Sequence, residues 1–515
     1  MYILPPAVAV EVDIPGMPKF SKSKPKILFA ASEGAPFAKV GGLGEVMNSL
    51  PKALRDLGYD ARLIIPKYAT IDTEKYPLQL EIEGIKSLTD DSDPYDLLVS
   101  NVLKYVDSDG QTIAYFLENM EYYEKRANVY GYNDDTLRWV LLSKGVLEFI
   151  KKSEWKPDII VASDWQAGFI PNLLRTDYKN DPVLSKIKII FSIHNLQFQG
   201  MFDHRFVSEM DFDAGQSKIP AFFDPKLLKL NGMRRGIMYA DLINTVSPTY
   251  AKEILSEEYG EKLNDLLSER RSNLFGILNG IDIESMNPET DQNIALNYSK
   301  NDLEKKAENK LALQKHFNLP QDKEKFVIGI VSRMDGQKGF DLIIEIADSL
   351  VNNVDFQLVV LGTGSNEYRC FFQELQKKYP ERVAGHYFFD SKLPRLIFAG
   401  ADSVLIPSRF EPSGLVQMEA MRYGTIPIVR KTGGLADSVE NYIPGQNEGT
   451  GFIFENYDKY ALLVAIIRAA ETFKNKKEWT GLMKRAMAKD FSWQKSAKEY
   501  IKLFSIALNS SQEEK

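Results

Sequence analysis

Apolar residues recur along this chain in two alternating patterns. Short unbroken runs, the first at residues 27–31, have the character of strands covered on both faces, as in a parallel sheet. Longer stretches carry apolar residues three and four apart. In 43–57 these are Val46, Leu50, Ala53, Leu54 and Leu57, the mark of an amphipathic helix, and Gly58 stops it. The next apolar run is 61–66, so the order is strand, helix, strand, a βαβ unit. Further buried strands are expected at 112–116, 159–162, 187–193 and 242–246, with a helix over 136–151.

The alternation then restarts. Strands are expected at 326–331, 357–361, near 383–389, at 403–407 and at 426–429, with helices at 340–351, 367–378, 393–400 and 415–423. Between the two series, 288–321 is rich in Asn, Asp, Glu and Lys, with one helical stretch at 302–317, and reads as surface structure near a hinge. Pro5, Pro6, Pro15 and Pro18 discourage regular structure in 1–26, which reads as a flexible arm. The expected division is an arm at 1–26, an α/β domain at 27–275, a second at 276–488 and a C-terminal helix at 489–511. Two doubly wound, Rossmann-like α/β domains facing each other predict a ligand cleft beyond the carboxyl ends of their strands.

Composition narrows the picture. A chain of 515 residues suits two or three domains. With 44% hydrophobic and 26% charged residues it is neither a disordered chain nor a collagen nor a coiled-coil rod. The net charge of -7 makes a general nucleic-acid or anionic-membrane binder an unsuitable reading. Cys370 stands alone, which excludes an intrachain disulfide and a Cys-rich zinc site, and four histidines argue against a His-cluster metal site. No apolar run is long enough to span a membrane. Residues 1–26 show no basic n-region and include Glu11 and Asp13, so no targeting leader is expected, and a soluble, reducing compartment is.

Chemistry-bearing residues follow the strands. Lys39-Val40-Gly41-Gly42-Leu43 opens the first helix. Its glycines let backbone N–H groups approach an anion, and Lys39 adds a full charge. The blander reading is a tight turn for helix packing. Arg333 and Lys338 follow the first strand of the second domain and would neutralise a diphosphate leaving group, if they are not merely solvated. Glu411 and Glu419 are eight apart. Glu411 is expected at the helix N-terminus and Glu419 about two turns on; such acids hold sugar hydroxyls or simply cap the helix. Lys431-Thr432-Gly433-Gly434-Leu435 repeats the Gly-Gly turn after a strand. Asp164 follows the strand at 159–162, and His194-Asn195 the one at 187–193, with Gln197 and Gln199 close by.

Together these motifs resemble a family. Lys-x-Gly-Gly-Leu, His194-Asn195-Leu196 with Gln199-Gly200-Met201-Phe202, and the run Thr245 to Ala251 are similar to bacterial glycogen synthases and plant starch synthases. So are Leu278-Asn279-Gly280-Ile281-Asp282, Arg333 with Gln337-Lys338-Gly339, the run Pro407 to Leu415, Thr432 to Asp437, and Asp490-Phe491-Ser492-Trp493. The resemblance implies the GT-B fold, with the C-terminal helix crossing back to the first domain. It implies retaining transfer of glucose from ADP-glucose to the non-reducing end of an α-1,4-glucan such as glycogen, starch or a malto-oligosaccharide. No cofactor and no metal would be needed, and neither nucleic acid nor membrane would be a partner. The location would be cytoplasmic in a bacterium, and plastidial or starch-associated in a plant or alga.

Carried onto this chain, the resemblance puts Lys39, Gly41 and Gly42 on the nucleotide phosphates, with Arg333 and Lys338 on the departing diphosphate. Glu411 would bind glucose hydroxyls. Glu419, Thr432, Gly433, Gly434 and Leu435 would serve the nucleotide sugar, the last two through backbone groups. His194 would contact the glucose. Asp164 and Asn279 would line the sugar and acceptor side, with Asn195 and Glu45 on glucose or acceptor. Three positions depart from the family pattern: Ser163 stands where His is frequent, Glu45 where Asp is, and Ser413 where Cys is. Two other readings compete, a GT-B transferase with a small sugar acceptor and a non-catalytic glucan-binding scaffold. Loss of Arg333, Lys338 or Glu411 would mark the scaffold, and all three are present.

Overall fold

Residues 27–30 are buried completely, and they form the centre of strand β1 (Lys26–Ala30). The computed structural model describes residues 24–509 apart from 91, 92 and 209; nearly all of the arm expected at 1–26 lies outside the described residues. β1 is flanked in parallel by β2 (Asp60–Pro66) and β6 (Ile159–Ser163). The rest of this sheet comprises β3 (Leu78–Asp90), β4 (Asp93–Val106), β5 (Thr112–Glu118), β7 (Lys188–Ile193), β8 (Leu242–Thr245) and β9 (Leu274–Gly276). The order is β3-β4-β5-β2-β1-β6-β7-β8-β9.

The second sheet holds β10 (Phe326–Val331), β11 (Phe356–Leu361), β12 (Val383–His386), β13 (Ser403–Ile406), β14 (Ile426–Arg430) and β15 (Phe452–Phe454). All its pairs are parallel, in the order β12-β11-β10-β13-β14-β15. In both sheets the winding reverses beside the first strand, between β1 and β6 and between β10 and β13. Ligands sit at such switch points because the loops there diverge to opposite faces.

Two expectations needed correction. The ribbon β3–β4 is antiparallel, and residues 67–111 carry no unbroken apolar run that would announce it. Its first strand alternates Leu78, Leu80 and Ile82 with polar residues, the pattern of a strand half open to water. β12 ends at His386 rather than near 389, and Phe388 and Phe389 beyond it are 70% and 87% exposed.

Each sheet has its own apolar core. The helix Trp493–Asn509 belongs to the first core, through Trp493, Tyr500, Ile501 and Phe504, although it follows the second domain in sequence. It packs on the helix Gly42–Asp56. Asn244 Nδ2 donates to Tyr500 Oη at 3.0 Å, and Ser496 Oγ to the Leu278 carbonyl at 2.6 Å. Outgoing and returning chain touch where Ile281 N–H donates to the Phe491 carbonyl at 2.8 Å. Among the described residues no helix is long and apolar enough to cross a membrane.

Candidate active site

A cleft of about 840 Å³ opens between the two sheets' carboxyl edges. The first domain lines it with Glu33, Gly41, Gly42, Asp164, His194 and Asn195, the segment just after β9 with Asn279, and the second domain with Arg333, Lys338, Glu411 and Ser413. Four loops at the two switch points supply most of these residues, which brings together side chains more than 200 residues apart.

The donor-side geometry grows from the loops after β10 and β13. Asp335 accepts Gln337 N–H at 3.1 Å and starts the turn Gly336–Lys338. Gly339 follows with φ +73, and a Cβ there would stand 2.0 Å from the Pro407 carbonyl oxygen. Only glycine therefore lets the two loops lie in contact. Lys338 Nζ consequently reaches Glu411 Oε2 at 2.7 Å, and Ser408 Oγ donates to the same oxygen at 2.9 Å. Glu411 is 7% exposed. Arg333 is exposed, 3.3 Å from Asp335, and also lines an adjoining hollow of about 480 Å³ with Gly364 and Tyr368.

Glu411 does not stand at a helix N-terminus. The helix is Val416–Arg422, and Pro412 and the left-handed Gly414 (φ +63) hold the preceding residues in a loop. Glu419 therefore lies in the first turn, not two turns on, and outside the cleft lining. Burial, with Glu45 nearby, pushes its carboxyl up to about 7.

The second Gly-Gly turn also differs from expectation. Thr432, Gly433, Gly434 and Leu435 are buried and do not line the cleft. Gly433 N–H donates to Glu253, and Gly434 N–H to the carbonyls of Glu411 and Pro412 at 3.0 and 3.2 Å. The turn is thus a floor under the Glu411 loop, its Gly433 and Gly434 amides donating to acceptors within the chain.

The first Gly-Gly turn is also bonded within the chain. The Glu33 carboxylate, 3% exposed, accepts Val40 N–H and Gly41 N–H, the latter at 3.0 Å. Tyr130 Oη donates to its other oxygen at 3.0 Å. The Gly41 amide therefore has a carboxylate of the chain as its acceptor, while Gly41 itself lines the cleft. Gly42 remains open, since a Cβ there would meet nothing within 4 Å. Lys39, 53% exposed, pairs with Glu45 at 2.7 Å outside the cleft lining. Sequence reading passed over Glu33; its signal was an acid placed directly after a buried parallel strand.

Asp164 takes a left-handed φ of 56 at the end of β6. Its Oδ1 accepts the backbone N–H groups of His194 at 2.7 Å and Asn195 at 3.4 Å, which ties the β6 and β7 loops together. Burial raises its carboxyl to about 7, and Glu33 adds to that. Ser163 is fully buried with its hydroxyl toward Met47 Sδ, and it stands outside the cleft lining. Asn279 Oδ1 is buried with no hydrogen-bond partner among the described residues, and Ser413 Oγ likewise. Among the described residues no three His, Cys, Asp or Glu side chains converge as metal ligands.

Burial lowers the His194 imidazole to about 4 from 6.5, while Ser192 Oγ lies 3.1 Å from Nε2. The ring is thus neutral in the folded chain but charged in the unfolded one between pH 6.5 and about 4. Stability is fully present above that window and falls as the pH drops through it. His194→Gln is expected to flatten this acid limb in thermal unfolding measured from pH 4 to 8; an unaltered limb would contradict a neutral buried ring.

Comparison with known proteins follows the same outline. A family described as starch synthase catalytic domain matches residues 26–269, and one described as glycosyl transferases group 1 matches 313–480. The chain is 43% identical over 488 residues to a glycogen synthase of Thermotoga petrophila, covering 94% of this chain and 99% of that protein. A glycogen synthase of Clostridium kluyveri is 42% identical over 490 residues, with 94% and 100% covered. The catalytic domain of starch synthase IV from Arabidopsis thaliana, solved with ADP and acarbose, superposes with a TM-score of 0.81 at 31% identity, covering 95% of this chain and 100% of that one.

Proposed function

The chain belongs to the glycogen and starch synthase family, and from that premise we propose that it moves glucose from ADP-glucose to the non-reducing end of an α-1,4-glucan, with retention. The observation that carries the donor half is the Lys338–Glu411 pair beside Arg333, on the two loops of the second domain's switch point. A nucleotide sugar needs cations for its diphosphate and acceptors for its hydroxyls within one sugar's length, and this pair supplies both. Loss of the diphosphate builds negative charge on the bridging oxygen. Preplaced cations offset that charge without reorganising. In this reading Arg333 and Lys338 do that work and transfer goes without added metal or cofactor.

His194 and Asn195 face the donor loops across the cleft, on the acceptor side. A neutral His194 offers the sugar a hydrogen bond without placing a second positive charge beside the anomeric carbon. Asp164 is committed to two backbone N–H groups and has a raised pKa, which suits a residue that positions His194 better than a covalent nucleophile. That arrangement favours a same-face route, in which the leaving phosphate accepts the proton of the attacking glucan hydroxyl.

The test is transfer of radiolabelled glucose to glycogen from ADP-glucose and from UDP-glucose, with EDTA present. Strong transfer from ADP-glucose that survives EDTA is expected. Tight glycogen binding with no transfer from either donor would support a scaffold instead, and transfer only to a small sugar would mean the acceptor is wrong.

A further inference from the structure

The two domains also meet behind the cleft, along the helix Pro248–Glu253 of the first domain. Thr249 donates through N–H and Oγ1 to the Asp437 carboxylate of the second domain, at 2.8 and 2.7 Å. In the opposite sense, Glu253 accepts the Thr432 hydroxyl at 3.0 Å and Gly433 N–H at 3.1 Å. Each domain thus lends a carboxylate to the other.

The contact continues inward. Gly433 has φ +42, and a Cβ there would lie 2.0 Å from the Glu411 carbonyl oxygen. The neighbouring Gly434 N–H holds the Glu411 and Pro412 carbonyls, and the Glu411 carboxylate holds Lys338. The same helix also touches the acceptor side, since Leu196 N–H donates to Tyr250 Oη at 3.2 Å. One short helix therefore supports both the His194 loop and the turn beneath Glu411.

We propose that Glu253 is a positioning residue, a carboxylate of the first domain that sets the Glu411 loop of the second. Docking of the two domains then completes the donor site, because the loop that presents Glu411 rests on the Gly434 amide, and the adjoining Gly433 amide of the same turn is held from across the interface. A charged acceptor is the stronger anchor for such amides, and a displacement of about 1 Å at a reacting group is enough to lower turnover about 100-fold. The proposal rests on the functional reading above for the meaning of the Glu411 loop, and on geometry alone for the coupling.

Two measurements separate these layers. Hydrogen exchange of the full chain reads the coupling without reference to activity. In Glu253→Ala, residues 408–415 are expected to exchange at least tenfold faster, and Glu253→Gln, which keeps an acceptor oxygen in place, restores most of the protection. Acceleration confined to 432–435, or none, overturns the proposal whatever the enzyme transfers. Kinetics reads the consequence: Glu253→Ala is expected to lower kcat about 10–50-fold with the KM for glucan within about twofold. In a Glu411→Ala background the same change costs less than about twofold, since its target is already gone. An equal loss in both backgrounds overturns the proposal. Should Glu253→Ala not fold, Thr432→Val removes one of the two anchoring donors at nearly constant volume. It is expected to show a smaller loss of about three- to fivefold with the same dependence on Glu411, and an equal loss in both backgrounds overturns the proposal there too. Absence of transfer by the unaltered protein would count against the functional reading, and the exchange experiment would still decide the coupling.

Discussion

Lys338→Ala is expected to lower kcat for glucose transfer by about 100- to 1,000-fold, the usual effect of removing one preplaced group that stabilises transition-state charge. The side chain is 18% exposed and lies 2.7 Å from Glu411, so its charge is fixed in place before any donor arrives. Its removal has a second effect. Among the described residues, Glu411 is left a nearly buried carboxylate with only the Ser408 hydroxyl as a side-chain donor, and a buried charge that loses its partner is costly to keep in place. Lys338→Arg restores charge without restoring shape, because a planar guanidinium cannot take the place of a compact ammonium in the same space, and is expected to recover only part of the rate. The measurement is initial-rate kinetics at saturating ADP-glucose, with circular dichroism to verify folding. A loss under tenfold in a folded variant would remove Lys338 from the chemistry.

Gly434→Ala is expected to have the second largest effect although the residue touches no substrate. A Cβ there would stand 1.8 Å from the Ser413 carbonyl oxygen, a distance at which backbone must move. Overpacking of this kind costs about 1–3 kcal/mol. In a domain of this size that lowers Tm by about 2–4 °C per kcal/mol. The larger consequence is for catalysis, since the loop that yields also carries Glu411, and kcat is expected to fall about 100-fold. Gly481→Ala is the control: it lies within the helix Lys476–Met487, far in sequence from the Glu411 loop, and its Cβ would meet the Arg485 guanidinium at 3.2 Å and no backbone atom of another element. That change is expected to leave kcat unaltered. Wild-type kcat in Gly434→Ala would show that the loop has slack that its contacts do not suggest.

Much of the fold was legible in the chain because burial on both faces demands continuous apolar runs. Those runs marked β1, β2, β6, β7, β10, β11 and β14 to within a residue or so. The ribbon β3–β4 escaped because one of its faces meets water, and β9 and β15 because three residues are too few to form a pattern. The cations and acids of the candidate site were legible for a related reason, since they stand directly after such runs. Glu411 was identified as a residue but misplaced, because Gly414 and Pro412 delay the helix and the periodicity of the apolar positions does not reveal that delay.

By itself, the sequence determined two βα series, their strand ends, and the charged residues held there: Asp164, Arg333, Lys338 and Glu411. Local pattern suffices for these, because a strand's burial and its loop's position are properties of adjacent residues. Only the tertiary structure decided which acceptors within the chain the backbone amides of the two Gly-Gly turns meet. Both Gly-Gly turns read as strand-end turns with backbone groups for the donor, yet Glu33 holds an amide of one and Glu253, from the other domain and 180 residues away in the chain, holds an amide of the second. An amide donates to whichever acceptor the fold brings within 3 Å, and competition between a carboxylate of the chain and a phosphate of a substrate is settled by distance in space, on which the order of residues is silent.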